Sequence, residues 1–381
     1  MTNSFTTIPE PGSPEWEQWL TVTSPLLPEL EELLPLLQDM LSRRWVTNQG
    51  PFVRQLEEEL RTRLDVGSLA LVTNGTSALE LAIRSCVEEG EVICTSFSFP
   101  ATWNLLVDNP RYQPVFVDIG EDFNIDPAQV EAAITPQTRA VLAVHAYGYP
   151  CNHEALKRIC DAHGLALLYD AAHCFGVRVR GRGIGRWGRL STFSFHATKV
   201  FNTLEGGCVT AAEPGVLEEV ELRRNFGFRP GEPQKYFGQN AKMDEFRALF
   251  GLVTLRHLDH AVKVRAEISA TYLERLGALQ LDGLVLPTDR LLSPDIQHNH
   301  AYFPIRLESR GEEIRDRVFE ELRGRGILAR RYFSNLFSSS PLYADLQTSG
   351  SLPRTRKATQ EILCLPIHHQ MTQGDCDRVV S

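Results

Sequence analysis

Three short stretches of this 381-residue chain carry side chains whose types and surroundings point to chemistry. The first is Asn74-Gly75-Thr76-Ser77-Ala78, set between an apolar run and a helical pattern. A helix N-terminus offers unpaired N–H groups and a partial positive charge, which suits a phosphate. Gly75 would let the backbone approach the anion, and the Thr76 and Ser77 hydroxyls would add donors. Ser77 with Glu80 spells a capping box and predicts the helix start there. An ordinary well-capped helix reads the same way, and the P-loop pattern G-x-x-x-x-G-K-[ST] is absent. The second feature is Asp170, which ends the apolar run Leu165-Ala-Leu-Leu-Tyr. At the carboxyl end of a strand, a carboxylate faces the ligand crevice and can hold a cation or a protonated ring nitrogen. Capping the next loop is its alternative use. The third is Lys199, which follows the alternating segment Ser191-Thr-Phe-Ser-Phe-His-Ala-Thr198. Beside a phosphate seat and a carboxylate, a lysine fits a Schiff-base role, because desolvation and nearby cations free its amine. A solvated surface lysine is the bland alternative.

These groups need a scaffold, and the hydrophobic pattern supplies one. Leu30, Leu33, Leu34, Leu37 and Leu41 recur at helical spacing, as do Val53, Leu56, Leu60 and Leu64, with a Gly50-Pro51 break between them. From residue 69, short apolar runs alternate with amphipathic stretches. Strands are expected at 69–73, 91–95, 115–118, 139–145 and 165–170, with helices between them. Asp126-Pro127 starts one helix, and Gly164 stops another. This alternation predicts an α/β domain built on a mostly parallel sheet. Past residue 240 a long helical pattern runs to about Leu276, followed by a smaller α+β region with a helix near 311–323. The expected division is therefore 1–245, an N-terminal helical segment with the large ligand-binding domain, and 246–381, the linking helix with a small C-terminal domain.

Composition narrows the function classes. With 43% hydrophobic and 23% charged residues the chain reads as globular, and its length suggests two to three domains. The net charge of −9 argues against bulk binding to nucleic acid or anionic membrane. No run of 18 apolar residues is present, and the first 20 residues lack the basic and apolar parts of a signal peptide. The eight cysteines, Cys86, Cys94, Cys151, Cys160, Cys174, Cys208, Cys364 and Cys376, show no C-x-x-C spacing. Reduced, buried thiols in a cytoplasmic protein are expected. His298-x-His300 and His368-His369 have no acidic or thiol partner in sequence, so loop histidines and no metal site are expected. Gly183-Ile-Gly185-Arg-Trp-Gly188 matches G-x-G-x-x-G, but an alternating strand pattern follows it where a dinucleotide fingerprint needs a helix. The same stretch holds Arg178, Arg180, Arg182, Arg186 and Arg189, a basic hairpin read as a solvated turn or an oligomer contact, with contact to a diphosphate or nucleic acid as the alternative.

Taken in order, the segments resemble the DegT/DnrJ/StrS family of pyridoxal-phosphate (PLP) nucleotide-sugar aminotransferases. The matching pieces are Arg44-Trp-Val-Thr-Asn-Gln-Gly50-Pro51, Asn74-Gly-Thr-Ser77, Ser98-Phe-Pro-Ala-Thr102 and Val144-His-Ala-Tyr-Gly148. Asp170-Ala-Ala-His173, Ser194-Phe-His-Ala-Thr-Lys199, Glu205-Gly-Gly207 and Gly238-Gln-Asn-Ala-Lys-Met243 complete the set. The resemblance implies the aspartate aminotransferase-like fold (fold type I), in which a large domain with a mostly parallel mixed sheet carries a smaller α+β C-terminal domain. It also implies a homodimer with shared active sites. Lys199 would be the Schiff-base lysine and proton shuttle, and Asp170 would pair with the pyridine nitrogen. Phe99 would stack on the cofactor, and His173 would lie near its phenolic oxygen. Gly75, Thr76, Ser77 and Ser194 would hold the phosphate together with Asn240 of the partner subunit. Arg331 and Tyr332 would contact the sugar nucleotide. The implied reaction moves an amino group from an amino acid, by family analogy L-glutamate, to a nucleotide-linked keto sugar. The wording around Lys199 looks most like members that act on dTDP-4-keto-6-deoxyhexoses. Two departures stand out: Leu204 sits where a Gly often precedes Glu-Gly-Gly, and Phe337-Ser-Ser-Ser-Pro341 replaces a common Pro-Leu-His.

Two other readings compete. A PLP-dependent sugar dehydratase of the same family would replace the lysine by histidine, so Lys199 speaks against it. A non-catalytic binding protein acting through the arginine hairpin would have no use for both Asp170 and Lys199.

Overall fold

The computed structural model describes residues 8–10, 13, 16–308, 312–334, 343, 346, 348 and 350–381. The departure at 337–341 lies outside the described residues. Two helices lead in, α1 (Leu30–Arg43) and α2 (Pro51–Arg63). Seven strands then form one sheet: β1 (Ser68–Val72), β2 (Gly90–Cys94), β3 (Tyr112–Phe116), β4 (Thr138–Val144), β5 (Ala166–Asp170), β6 (Leu190–Ser194) and β7 (Gly207–Ala211). Their spatial order is β1-β7-β6-β5-β4-β2-β3. Every neighbouring pair is parallel except those made by β7, which runs antiparallel between β1 and β6. The strands read as continuous apolar runs because helices cover both faces. Those helices are α3 (Gly75–Arg84), α4 (Ala101–Val107), α5 (Pro127–Ala132), α6 (His153–His163) and α7 (Glu218–Arg223). The architecture is the expected α/β one with a mostly parallel, mixed sheet.

The start of α3 differs from the capping-box expectation. Asn74 is the N-cap: its backbone is extended and its side-chain oxygen accepts the Ser77 N–H at 2.8 Å. Ser77 is therefore the third helical residue, and Glu80 pairs with Arg84 at 3.0 Å instead of turning back to the helix start. A short amide already in the extended conformation wins that competition.

The 34-residue helix α8 (Glu245–Ala278) runs from the large sheet to a second, three-stranded antiparallel sheet. That sheet consists of β8 (Leu284–Val285), β9 (Phe303–Leu307) and β10 (Ile362–Leu365), packed with α9 (Glu312–Gly324) and α10 (Pro353–Glu361). The N-terminal segment also reaches this region, since Leu20 and Thr21 pair in parallel with Ile327 and Leu328. A division drawn at one point between residues 245 and 246 thus separates paired strands. Among the described residues no helix is long and apolar enough to cross a membrane.

Long-range caps lock these parts together. The buried Glu245 carboxylate accepts the Phe52 and Val53 N–H groups at 3.0 and 2.8 Å, closing the first turn of α2. Gly50 is required there, because a Cβ would fall 2.3 Å from the Glu245 carboxyl carbon. Asp118 does the same for α10, accepting from the Arg354 and Thr355 N–H groups and the Thr355 hydroxyl at 2.9, 2.8 and 2.6 Å. Arg265 of α8 is buried and donates to the Ile367 carbonyl at 2.7 Å. The histidine pairs do lie in loops, yet His298 and His368 are buried; burial pushes them down to about 3 and about 4.

Removing the Glu245 carboxylate strands two buried N–H donors. Glu245→Ala should cost about 2–3 kcal/mol in denaturant unfolding, and Glu245→Gln, which keeps one acceptor, about half of that. An unchanged midpoint in the alanine variant would show that water caps α2 equally well.

Candidate active site

The carboxyl ends of β1, β2, β4, β5 and β6 open into a cavity of about 690 Å³. This is the crevice position that a parallel sheet assigns to ligands. One wall is the N-terminus of α3, where Asn74, Gly75, Thr76 and Ser77 line the cavity beside Ser194. A Cβ on Gly75 would sit 2.8 Å from the Ser194 Cβ, so only glycine allows α3 to press this closely on the end of β6. Larger hollows exist elsewhere, such as one of about 1070 Å³ beside Arg223 and Phe237, but that one does not bring a carboxylate against a buried amine.

Asp170 stands at the end of β5, 5% exposed. Its Oδ1 accepts the Ala172 N–H at 3.0 Å and its Oδ2 accepts the Thr102 hydroxyl at 2.9 Å. The residue therefore caps the loop and also faces the cavity. Thr102 in turn shares a 2.8 Å hydrogen bond with the Ser98 hydroxyl. Burial raises the Asp170 pKa; the Ala172 N–H, the Thr102 hydroxyl and the Lys199 charge all pull it back.

Lys199 lies on the loop after β6, with its Nζ 3.5 Å from the Tyr302 hydroxyl. Desolvation lowers its pKa and Arg330 lowers it further, while Asp170 works in the opposite direction. His173 is buried against Tyr302, ring centroids 4.6 Å apart, and stacks on Phe333 at 5.7 Å. Burial and the Lys199 charge hold its imidazole neutral, with a pKa well below the usual histidine range. Its Nδ1 is buried with no hydrogen-bond partner among the described residues. Phe99 lines the cavity with 63% of its surface exposed, and among the described residues no ring stacks on it.

The structure thus gathers Gly75, Thr76, Ser77, Phe99, Asp170, His173, Ser194, Lys199 and Tyr332 around one cavity. One residue singled out in sequence stands elsewhere. Arg331 does not line the cavity: it donates to Asp316 at 2.9 Å and lies 4.4 Å over the Phe319 ring. Its neighbour Arg330 lines the cavity instead, because the extended backbone here turns successive side chains to opposite sides. Asn240, expected to serve the phosphate of the partner subunit, is exposed outside its own chain's cavity and bridged to Asn225. Sequence reasoning gave no role to Thr102, Tyr302 or Arg330. Thr102 stood inside a quoted motif, and its four-residue spacing from Ser98 was its one available signal. Tyr302 arrives from β9, far along the chain, and nothing local marks it. Three of the hairpin arginines are paired: Arg180 with Glu154 at 3.0 Å and Asp295 at 3.1 Å, and Arg178 and Arg186 with Asp65 at 4.0 and 3.8 Å. The G-x-G-x-x-G stretch forms a strand and a 3₁₀ turn, with no helix.

Comparison with known proteins agrees with this geometry. The model of the DegT/DnrJ/EryC1/StrS aminotransferase family matches residues 29–381. A dTDP-4-amino-4,6-dideoxy-D-glucose transaminase of Shigella dysenteriae is 37% identical over 366 residues, covering 96% of this chain and 98% of the relative. A dTDP-3-amino-3,4,6-trideoxy-alpha-D-glucose transaminase of Streptomyces venezuelae is 35% identical, covering 81% of this chain and 80% of its own. Among solved structures, DesI in the presence of its TDP-sugar product superposes with a TM-score of 0.88 at 34% identity, covering 95% of this chain and 91% of that one. S. venezuelae DesV in complex with a ketimine intermediate gives 0.82 at 32% identity, covering 92% of each.

Leu204, the departure next to the cavity-lining Glu205, has φ +66°, a left-handed conformation that a Cβ disfavours. Its N–H is tied to the Asn202 side chain at 3.1 Å, which holds it there. Leu204→Gly should therefore be more stable than Leu204→Ala by about 1 kcal/mol, the reverse of the order inside a helix. Equal melting temperatures for the two variants would contradict the strain at this turn.

Proposed function

This chain belongs to the DegT/DnrJ/EryC1/StrS aminotransferase family, and we propose that it transfers an amino group from L-glutamate to a dTDP-linked 4-keto-6-deoxyhexose, with pyridoxal phosphate as cofactor. One observation carries the reading: a single cavity holds an anion seat, a buried carboxylate and a desolvated amine within reach of one ligand. The residues fit that cofactor on their own evidence. Gly75 leaves room for an anion at the head of α3, Phe99 offers an open ring face, and the His173 Nδ1 is an orphaned polar atom beside Lys199.

When bound, pyridoxal phosphate supplies an electron sink for the charge that develops on the substrate carbon. The protein's own groups do the rest. The N-terminus of α3 with Thr76, Ser77 and Ser194 holds the phosphate, a seat that needs only local donors. Asp170, oriented by Thr102 and the Ala172 N–H, keeps a proton on the ring nitrogen. Phe99 covers one ring face, and His173, kept neutral by burial, donates or accepts a hydrogen bond without adding charge. Lys199 would anchor the cofactor through its amine. Its lowered pKa favours a neutral amine, which would take a proton from one carbon and return it to another.

The sugar assignment rests on the Shigella relative, whose name places the amino group at carbon 4 of a dTDP-linked dideoxyglucose. Tyr332 and Arg330 both line the cavity, which supports a role for them in meeting the nucleotide-sugar. A second copy of the chain completes the site in this reading. Phe226, Phe228 and Phe237 stand 44%, 37% and 74% exposed on the same loop region as Asn240, an apolar surface that a second subunit would cover. The eight unpaired cysteines support a reducing, cytoplasmic setting.

Purified protein supplied with pyridoxal phosphate should absorb in the visible and convert glutamate and dTDP-4-keto-6-deoxyglucose into an amino sugar. Lys199→Ala should lose the visible band and at least about 10³-fold in turnover. Mass spectrometry separates the alternatives: a product that loses water and gains no nitrogen would mean a dehydratase. Light scattering should give twice the chain mass, and a monomer carrying full activity would refute the shared site.

A further inference from the structure

Asp170 ends a chain of two buried hydroxyls that begins at Ser98. The Thr102 Oγ1 donates to the Asp170 Oδ2 at 2.9 Å, and the Ser98 and Thr102 hydroxyls lie 2.8 Å apart. Both residues are buried, and both line the cavity. We propose that Ser98 and Thr102 form a one-way hydrogen-bonded chain that fixes Asp170 as the acceptor for a protonated ring nitrogen, which makes both of them positioning residues. The inference rests on the reading of this cavity as a pyridoxal phosphate site and adds Ser98 and a direction to it.

The direction follows from donor counting. A carboxylate only accepts, so the single Thr102 proton lies on the Asp170 side. With that proton committed, the Thr102 oxygen can only accept from Ser98, and the Ser98 proton points at Thr102. The chain therefore runs from Ser98 through Thr102 to Asp170. A proton placed on the Asp170 Oδ2 would make that oxygen a donor toward Thr102. Both hydroxyls would then have to turn round, and the Ser98 proton would lose its acceptor. Reversing a buried network in this way is costly, so the chain favours an Asp170 that stays ionised.

The reach of Thr102 is what local structure does not explain. β4 stands between β2 and β5, so the loop after β2 starts two strands, about 10 Å, from the strand that ends in Asp170. Thr102 spans that gap from the first turn of α4. A threonine in a helix commonly bonds a carbonyl of the preceding turn, and here the proton goes to a carboxylate instead. The Thr102 N–H donates to the Phe99 carbonyl at 3.0 Å, so the turn that holds the hydroxyl also presents the exposed Phe99 ring to the cavity. The titratable groups that bear on Asp170 are Lys199 and the Cys174 thiol, which burial keeps protonated. Burial itself pushes Asp170 toward its neutral form, and the Thr102 hydroxyl is among the groups that oppose this.

Two measurements test this, and neither reads turnover. In cofactor-free protein the infrared carbonyl band of protonated Asp170, isolated by difference from Asp170→Asn, would be followed against pH. Thr102→Val removes the donor at nearly constant shape and should raise the Asp170 midpoint by about one pH unit. Ser98→Ala should raise it about half as far, and Thr102→Ser, which keeps the donor, should restore most of the original value. The second measurement is the dissociation constant of pyridoxamine phosphate, compared with that of an analogue carrying carbon in place of the ring nitrogen. Thr102→Val should weaken the first about tenfold and leave the analogue unchanged. Unmoved midpoints would overturn the proposal, with Ser98→Ala deciding alone should Thr102→Val fail to fold. Equal losses for the two ligands would also overturn it, because Thr102 would then only support the fold. If the unaltered protein binds neither ligand, the cofactor reading fails, whereas the infrared midpoints still decide the hydroxyl chain.

Discussion

An amine and a carboxylate must occupy the same poorly hydrated crevice here without neutralising each other. Left alone, the Lys199 ammonium and the Asp170 carboxylate would favour a closed ion pair, and neither would then be free for a ligand. The structure prevents this by giving Asp170 other partners. Thr102 and the Ala172 N–H each occupy one lone pair of the carboxylate, which fixes it from the protein side and leaves acceptor capacity for a ligand. Burial then weighs against charge on both groups, raising Asp170 and lowering Lys199. What remains is an acid that holds its place and an amine that can react.

That arrangement demands precision from elements that are remote in sequence. β5 and β6 are adjacent and parallel, so Asp170 and the loop carrying Lys199 leave the sheet at one edge. Tyr302 and Arg330 come from the second sheet and need its docking to be reproducible. Asp118 and Glu245 secure that docking by capping helices whose first turns come from other parts of the chain. A buried carboxylate at a helix start is strong and directional, because several aligned N–H groups converge on it. These acids do no chemistry, yet the distances around Lys199 depend on them.

The sheet and its ligand edge were legible because burial on both faces leaves an unmistakable trace, continuous apolar runs each ended by polar residues. Asp170 and Lys199 were legible for the same reason: each follows such a run at the end where ligands bind. The cap of α3 was misread because Asn74 and Ser77 can both cap, and only the backbone conformation of Asn74 decides between them. Arg331 and Arg330 differ by a single residue, and in an extended segment one residue is the difference between facing the cavity and facing Asp316. Tyr302 was silent. Its meaning depends on a contact with Lys199 across a hundred residues of chain, and no local pattern encodes that.

Net charge was the least informative quantity, and the site shows why. A chain of net charge −9 is proposed to take two anions, a phosphate-bearing cofactor and a nucleotide diphosphate sugar. The first needs only the end of one helix and a few hydroxyls. Many of the surface cations are meanwhile engaged by acids, as Arg180 is by Glu154 and Asp295. Arg330 differs from them, since its guanidinium partner at the cavity mouth is a phenol. A cation whose hydrogen-bond partner is neutral keeps its charge available to an incoming anion. Arg330 is also one of the charges that hold the Lys199 pKa down, so a diphosphate that draws on Arg330 relaxes that pressure on the lysine. Substrate binding and lysine protonation would then be linked through one side chain, and the bound substrate would tune the group that must act on it.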